Sequence, residues 1–367
     1  MTLSPDIVVK YNDVRQTMRD VNGVVVYPVV NNGTTYLPIR AVSNMLGVDV
    51  KWDQETRTVS LYSADFLQTG AIPDEGGRIE VSGPTLFSFT PDRTGAWQFI
   101  TSDNGGADPY LTLYGADGAV IIADDDGGPG LNSLLIAYLE AGATYSVRAG
   151  FYNNGTGAYA LTASPATVLT PAGGGTLVES AARYAFMPDY TGLWTFRTSD
   201  CGESDPYLKI FGPDGAVLAE NDDVDAGDLN SLITIPLSAG VTYSVGAGFF
   251  SGGSGEYTLT ASQHGAAAAI SASGGRRGVN NATFFAFTPG ISGTWRIDTS
   301  GEGEDDPCLT IYFADGRVAA RDDDSGEDLN AQITIDLDAG TLYYIHAGFF
   351  SGETGSCTLS VTLLQGE

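Results

Sequence analysis

Histidine is nearly missing from this chain: only His264 and His346 occur in 367 residues. That removes most transition-metal centres and most schemes that use imidazole as a general base. Cations are scarce as well, with 17 Lys and Arg against 45 Asp and Glu and a formal net charge of −28. Nucleic acids and anionic membrane surfaces are recognised through clustered basic groups, so neither is expected as a partner. No run of 18 or more apolar residues occurs, so membrane insertion by a helix is not expected. The opening Met1-Thr2-Leu3-Ser4-Pro5 has neither a basic nor an apolar leader region. On that ground the chain is either cytosolic or carries a methionine in place of an export signal.

What is abundant is glycine, 48 residues, about twice the usual share. With 43% hydrophobic residues there is enough apolar material for real cores, and the glycine favours short strands joined by turns. Charge divides the chain. Residues 1–64 balance six basic side chains (Lys10, Arg15, Arg19, Arg40, Lys51, Arg57) against six acidic ones (Asp6, Asp13, Asp20, Asp49, Asp53, Glu55). The whole −28 therefore belongs to residues 65–367, and the Gly-, Pro- and acid-rich stretch 64–78 reads as a linker.

The acidic part repeats itself. Asp108-Pro109-Tyr110-Leu111 returns as Asp205-Pro206-Tyr207-Leu208 and as Asp306-Pro307-Cys308-Leu309, at spacings of 97 and 101 residues. A tryptophan precedes each copy (Trp97, Trp194, Trp295), and an acidic cluster begins 16 residues later (Asp124, Asn221, Asp322). Leu-Asn follows at Leu131-Asn132, Leu229-Asn230 and Leu329-Asn330, and Ala-Gly-Phe closes each series at Phe151, Phe249 and Phe349. Repeats of this length are whole domains rather than solenoid units. Within each copy, period-2 runs such as Trp97-Gln-Phe-Ile and Leu111-Thr-Leu-Tyr alternate with Gly, Asp and Pro, the pattern of half-buried antiparallel strands. About eight strands per copy predict a β-sandwich. The expected fold is mainly β: a small α+β domain over 1–64, then three tandem jelly-roll-like β-sandwich domains over 65–165, 166–263 and 264–367. The tryptophans read as core residues, with a carbohydrate platform as the other reading.

In the first segment, strands are expected at 6–10 and 23–30, with a turn at Asn31-Asn32-Gly33. A helix is expected over 38–46 from the spacing of Ile39, Val42, Met45 and Leu46, capped by Gly47. Strand alternation then returns around Trp52. The run Asn32-Gly-Thr-Thr-Tyr-Leu-Pro-Ile-Arg-Ala-Val42, followed by Leu46-Gly-Val-Asp-Val-Lys-Trp-Asp53, resembles the copper amine oxidase N-terminal-like domain. That resemblance implies a non-catalytic stalk module common on exported bacterial envelope proteins. Amine oxidase activity needs three histidine ligands and a modified tyrosine, and this segment has no histidine, so no copper is expected. Arg40 reads as a structural hydrogen-bond donor.

The repeat in turn resembles the bacterial pre-peptidase C-terminal domain, through the Asp-Pro-Tyr-Leu strand, the Gly115-to-Gly118 turn, the Asp-rich loop with Leu-Asn-Ser, and the Ala-Gly-x-x-Tyr strand. The resemblance covers nearly all of residues 79–363. It implies an accessory β-sandwich of secreted bacterial proteins, with collagen- or sugar-binding relatives.

Candidate chemistry lies in the recurring carboxylates. The first copy holds Asp108, Asp124, Asp125, Asp126 and Asn132. The second holds Asp205, Asn221, Asp222, Asp223 and Asn230, with Asp225 and Asp228 nearby; the third holds Asp306, Asp322, Asp323, Asp324 and Asn330, with Asp328. Crowded carboxylates repel unless a cation or solvent screens them. Calcium takes six to eight oxygens of this kind, so about one Ca2+ per repeat is expected; plain solvated acidic turns are the alternative. Cys308 stands where the other copies have Tyr110 and Tyr207, and Cys357 where they have Tyr159 and Tyr257. The joint replacement reads as a contact, hence a Cys308–Cys357 disulfide and an oxidising compartment, with two buried thiols as the alternative. Cys201 reads as a free thiol.

Other signals carry less. Gly173-Gly174-Gly175 lacks the strand and helix of a dinucleotide site, His264 reads as solvated, and no Ser or Cys nucleophile has a recurring base. The aromatic pairs Phe151-Tyr152, Phe249-Phe250 and Phe349-Phe350 read as core packing, or as a stacking surface for sugars or a partner. The expectation is a non-enzymatic secreted or cell-surface structural or adhesion protein with calcium-binding β-sandwich repeats. Its partner is a copy of itself, or a cell-wall or extracellular glycan or protein. The alternative is a carbohydrate- or collagen-binding accessory module for a separate hydrolase.

Overall fold

Alternation of apolar and polar side chains places every second residue of a strand on one face, so two such strand sets can close face to face over a shared core. Each acidic repeat does this. The computed structural model describes residues 2–3, 7, 9–11, 14–18, 25–31, 34–46, 49–53, 58–62, 68–171, 175–224, 227–301, 305–350 and 354–366. Asp225, Gly47, Asn32-Gly33, Gly173-Gly174 and parts of the first two expected strands lie outside them.

In the first repeat, one sheet runs in the order Val120–Asp124, Pro109–Tyr114, Tyr145–Phe151, Thr85–Phe89, Gln68–Ala71. The facing sheet runs Leu134–Leu139, Gly95–Ser102, Tyr159–Pro165, Gly77–Val81. All these pairings are antiparallel except that of Gln68–Ala71 with Thr85–Phe89, which is parallel. The second repeat has two four-stranded sheets, and an isolated parallel bridge, Val168 to Ala185, takes the place of the fifth strand. The third again has five and four strands, with Ala268–Ile270 as the parallel edge. The molecule is thus mainly β, with tandem β-sandwiches. The stretch 64–78, expected to be linker, contains the strand Gln68–Ala71; the third repeat opens with the strands Ala268–Ile270 and Gly275–Asn280.

Each sandwich closes over its own core, and the three tryptophans lie at equivalent depths in those cores. Trp97, Trp194 and Trp295 are at most 1% exposed, each edge-on to a phenylalanine (Phe89, Phe186, Phe287) at 4.9–5.1 Å. Edge-to-face pairs add to the area these rings bury, and the carbohydrate-platform reading of the tryptophans falls on their burial.

The first segment contains a three-stranded sheet (Thr2–Leu3, Val29–Asn31, Thr34–Tyr36), the helix Ile39–Leu46 and two hairpins. Pro38 fits the helix start because its carbonyl accepts the Val42 N–H at 3.0 Å and its own missing N–H costs nothing there. Arg40 is exposed on that helix, and its carbonyl accepts the Ser43 hydroxyl. Among the described residues no helix is long and apolar enough to cross a membrane.

Candidate functional site: the acidic loops

Each acidic cluster leaves the end of an edge strand (Val120–Asp124, Val217–Asn221 or Val318–Asp322) and the chain returns as an edge strand of the opposite sheet. A loop crossing between sheets has backbone donors to satisfy, and the first residue of each cluster does this. Asp124 Oδ2 accepts the N–H groups of Gly127 (2.7 Å) and Leu134 (2.8 Å). Asn221 Oδ1 accepts Leu232 N–H at 2.7 Å, and Asp322 Oδ2 accepts those of Ser325 and Gln332. This role needs an acceptor oxygen rather than a charge, which is why asparagine serves in the second copy. Burial pushes the Asp124 carboxyl up, against the opposing pull of the two N–H donors and of Arg183.

The asparagines are latches too. Asn132 Oδ1 accepts the Thr101 hydroxyl at 3.1 Å while its amide Nδ2 donates to Pro129 O; Asn230 Oδ1 accepts the Thr198 hydroxyl at 3.2 Å while its Nδ2 donates to Asp228 Oδ1. Asn330 donates to Glu327 O, and its Oδ1 is buried without a partner. Thr101, Thr198 and Thr299 also accept N–H donors from Ser133, Ser231 and Ala331. These threonines were missed by the sequence reading. Their signal was present, since each lies four residues after the repeat tryptophan.

In the first and third copies the remaining carboxylates act on one another through their charge. Desolvation first, then the charges of Asp126 and Asp125, push the Asp108 carboxyl up. In the third copy desolvation and the charges of Asp323, Asp306 and Asp322 do the same to Asp324. Asp108, Asp205 and Asp306 are each half-exposed as residues, yet in all three one oxygen, Oδ1, is sealed from solvent with no hydrogen-bond partner. Buried polar atoms are rarely left unpaired, so each calls for an explanation. Asp222 and Asp125 each accept the N–H of the following residue. Among the described residues no three His, Cys, Asp or Glu side chains converge closely enough to form a metal site by themselves.

The aromatic pairs divide. Phe151 and Phe249 pack edge-on against Tyr159 and Tyr257 at 5.2 and 5.3 Å, and Phe349 is buried. The second member is exposed each time: Tyr152 by 45%, Phe250 by 47%, Phe350 by 54%. Their backbone N–H groups donate to the carbonyls of Asp108, Asp205 and Asp306, all at 2.8 Å, which fixes these exposed rings beside the acidic loops.

Cys308 and Cys357 are free thiols, as is Cys201, so the expected disulfide is not formed. Leu309 and Ile311 point into the core, which turns Cys308 to the outer face of its strand, while Cys357 belongs to the core. In the other copies Tyr110 and Tyr207 pair across the strands with Gly150 and Gly248. Tyr159 and Tyr257 point inward and donate to the carbonyls of Gly150 and Gly248. Burial pushes the Cys357 thiol up to about 11 and raises Cys308, so both stay protonated and inert as nucleophiles at neutral pH. His264 is exposed, with Nδ1 3.0 Å from the Thr195 hydroxyl.

No curated protein sequence matches the chain. The family model of the copper amine oxidase N-terminal domain matches residues 20–66. Among solved structures, the chain is similar to one described for the triple jelly roll fold and turret assembly of an archaeal virus. That match has 11% identity, covers 86% of this chain and 87% of the other, and has a TM-score of 0.19. It is also similar to the tandem CBM51 modules of a family 98 glycoside hydrolase from Streptococcus pneumoniae, with 9% identity, coverage of 87% and 88%, and a TM-score of 0.19. Superposition this poor carries nothing about function; what is established by family is a copper amine oxidase N-terminal domain match over 20–66.

Proposed function

We propose that this is a non-catalytic structural or adhesion protein of the bacterial cell surface, whose three β-sandwich repeats bind calcium at their acidic loops. The observation that carries it is the sealed, unpartnered Oδ1 at the same position in all three repeats, Asp108, Asp205 and Asp306. A carboxylate oxygen withdrawn from water and left unpaired is costly; a bound cation supplies the missing partner and relieves the repulsion among Asp108, Asp125 and Asp126. Calcium suits the set because it takes mixed oxygen ligands in flexible geometry, so a few carboxylates can be completed by backbone carbonyls and water. Asp108, Asp125 and Asp126 would hold it in the first repeat, Asp205, Asp222 and Asp223 in the second, Asp306, Asp323 and Asp324 in the third. Asp124, Asn221, Asp322 and the latch asparagines Asn132 and Asn230 are occupied by internal hydrogen bonds.

Export is supported by the match of residues 20–66 and by the likeness of the repeats to pre-peptidase C-terminal domains. A non-enzymatic role is supported by the use of Asp124 and Asp322 as loop braces. Calorimetric titration with calcium chloride is expected to show about three sites, and EDTA to lower the melting midpoint, because an ion that binds the folded state stabilises it. An unmoved midpoint with no binding heat would remove the calcium reading. Calcium-dependent polymers seen by electron microscopy would support the assembly role.

A further inference from the structure

A side chain of the next repeat reaches the first acidic loop. Arg183, on strand Ala182–Phe186, lies with its Nη1 3.4 Å from Gly127 O and 3.3 Å from Leu134 O. Those two residues are the ones whose N–H groups Asp124 accepts. On its own repeat, Arg183 donates from Nε to Ser244 at 3.0 Å and stacks on the Phe211 ring at 3.5 Å. Gly246, its cross-strand partner, leaves the room this needs, since a Cβ there would stand 3.1 Å from the Phe211 ring. Around the clamp the joint is apolar: Leu134, Ile136 and Ala185 are buried together, with Ala96, Ile100 and Ala166 beside them. A guanidinium with donors to two carbonyls, a hydroxyl and a ring face is held in one orientation.

The joint between the second and third repeats shares with the first a glycine turn set against the preceding repeat (Gly215 against Ile122 and Ala123 at the first joint) but has no counterpart of Arg183. There the turn at Gly316, with φ +88°, lies so close that a Cβ would stand 2.9 Å from Pro236 O and 3.2 Å from the Ile235 and Leu218 side chains. The position of Arg183 is taken by Phe284, which stacks on His346 within its own repeat. In the first repeat the same position is Leu86.

We infer that Arg183 couples the acidic loop of the first repeat to the joint with the second, so that a cation bound by Asp108, Asp125 and Asp126 stiffens that joint and leaves the next one unchanged. This rests on the calcium reading of the loop. Asp125 and Asp126 lie in the chain between Asp124 and Gly127, and Asp124 accepts the N–H groups of the two residues whose carbonyls Arg183 reads. Ordering Asp125 and Asp126 therefore fixes those carbonyls.

Hydrogen exchange read by mass spectrometry on the full chain tests this, for wild type and Arg183→Gln, in EDTA and in calcium chloride. In wild type, calcium should slow exchange in residues 119–134 and also in 180–187, with no change in 311–320. In Arg183→Gln the response of 119–134 should persist while that of 180–187 is lost. A response of 180–187 that survives the substitution, or that is missing in wild type although 119–134 responds, overturns the coupling. If calcium alters neither segment in wild type, the calcium reading fails by itself. The clamp is then judged in EDTA alone, where Arg183→Gln must speed exchange at 119–134 and equal rates overturn it. Should Arg183→Gln expose the second core throughout, Arg183→Lys, which keeps the charge but not the fork, is read by the same criteria.

Discussion

His346 lies on strand Tyr343–Phe349 with its ring 4.5 Å from Phe284, and burial pushes its pKa down to about 4. An unfolded chain takes up that proton near pH 6.5. Between those values the unfolded state binds more protons than the folded one, so stability falls as pH drops from 6.5 to 4 and is flat above. The third repeat is expected to lose up to about 3 kcal/mol across that window. In His346→Leu that loss should vanish, because carboxylate titration is common to both proteins. Urea unfolding at pH 7, 5.5 and 4.5 checks this, and equal losses in the two proteins would count against it. The cysteines carry the opposite lesson at this scale. Comparing the repeats showed that Tyr110 and Tyr159 were both replaced in one copy, but not which way either points. The alternation around Leu111 and Leu113 already placed Tyr110 on the outer face, and it weighed more than the shared replacement.

Among the elements, the crossing loops were legible as recurring acid but not as recurring braces. Spacing revealed that Asp124, Asn221 and Asp322 correspond; only their hydrogen bonds show that the shared property is an acceptor aimed at the next strand. Asp124→Asn, which imitates the second repeat, is therefore expected to keep stability within about 1 kcal/mol, whereas Asp124→Ala leaves two N–H donors unpaired and should cost roughly 1–3 kcal/mol. Denaturant midpoints of the two variants measure the difference, and equal costs would mean that the charge matters rather than the acceptor. The edge strands Gln68–Ala71 and Ala268–Ile270 were hidden for a related reason. Most of their side chains face solvent, so no alternation marks them; they pair in parallel with Thr85–Phe89 and Thr283–Phe287, and in Ala268–Ile270 only Ile270 joins the core.

At the scale of the molecule, three cores of similar make-up each close over their own tryptophan. Cores that share no residues can unfold as separate units. Trp295→Ala should cost the third repeat about 3–5 kcal/mol and lower only one component of the calorimetric melt. A uniform fall of every component would show the three sandwiches to be one cooperative unit. The charge of −28 is carried by these repeats, and self-repulsion of that size opposes collapse while favouring solubility.

The sequence by itself determined what is local and periodic: strand alternation, the whole-domain repeat, the buried tryptophans, and the crowding of carboxylates at fixed offsets. Those features follow from the two-residue period of a strand and from residue chemistry, and need no knowledge of distant neighbours. Tertiary structure alone decided which face of a strand each cysteine occupies, which acidic residues brace and which act on Asp108 through their charge, and that Arg183 reaches across to another repeat. Each of these depends on which surfaces meet when sheets stack, a relation between residues far apart in the chain that no local pattern encodes.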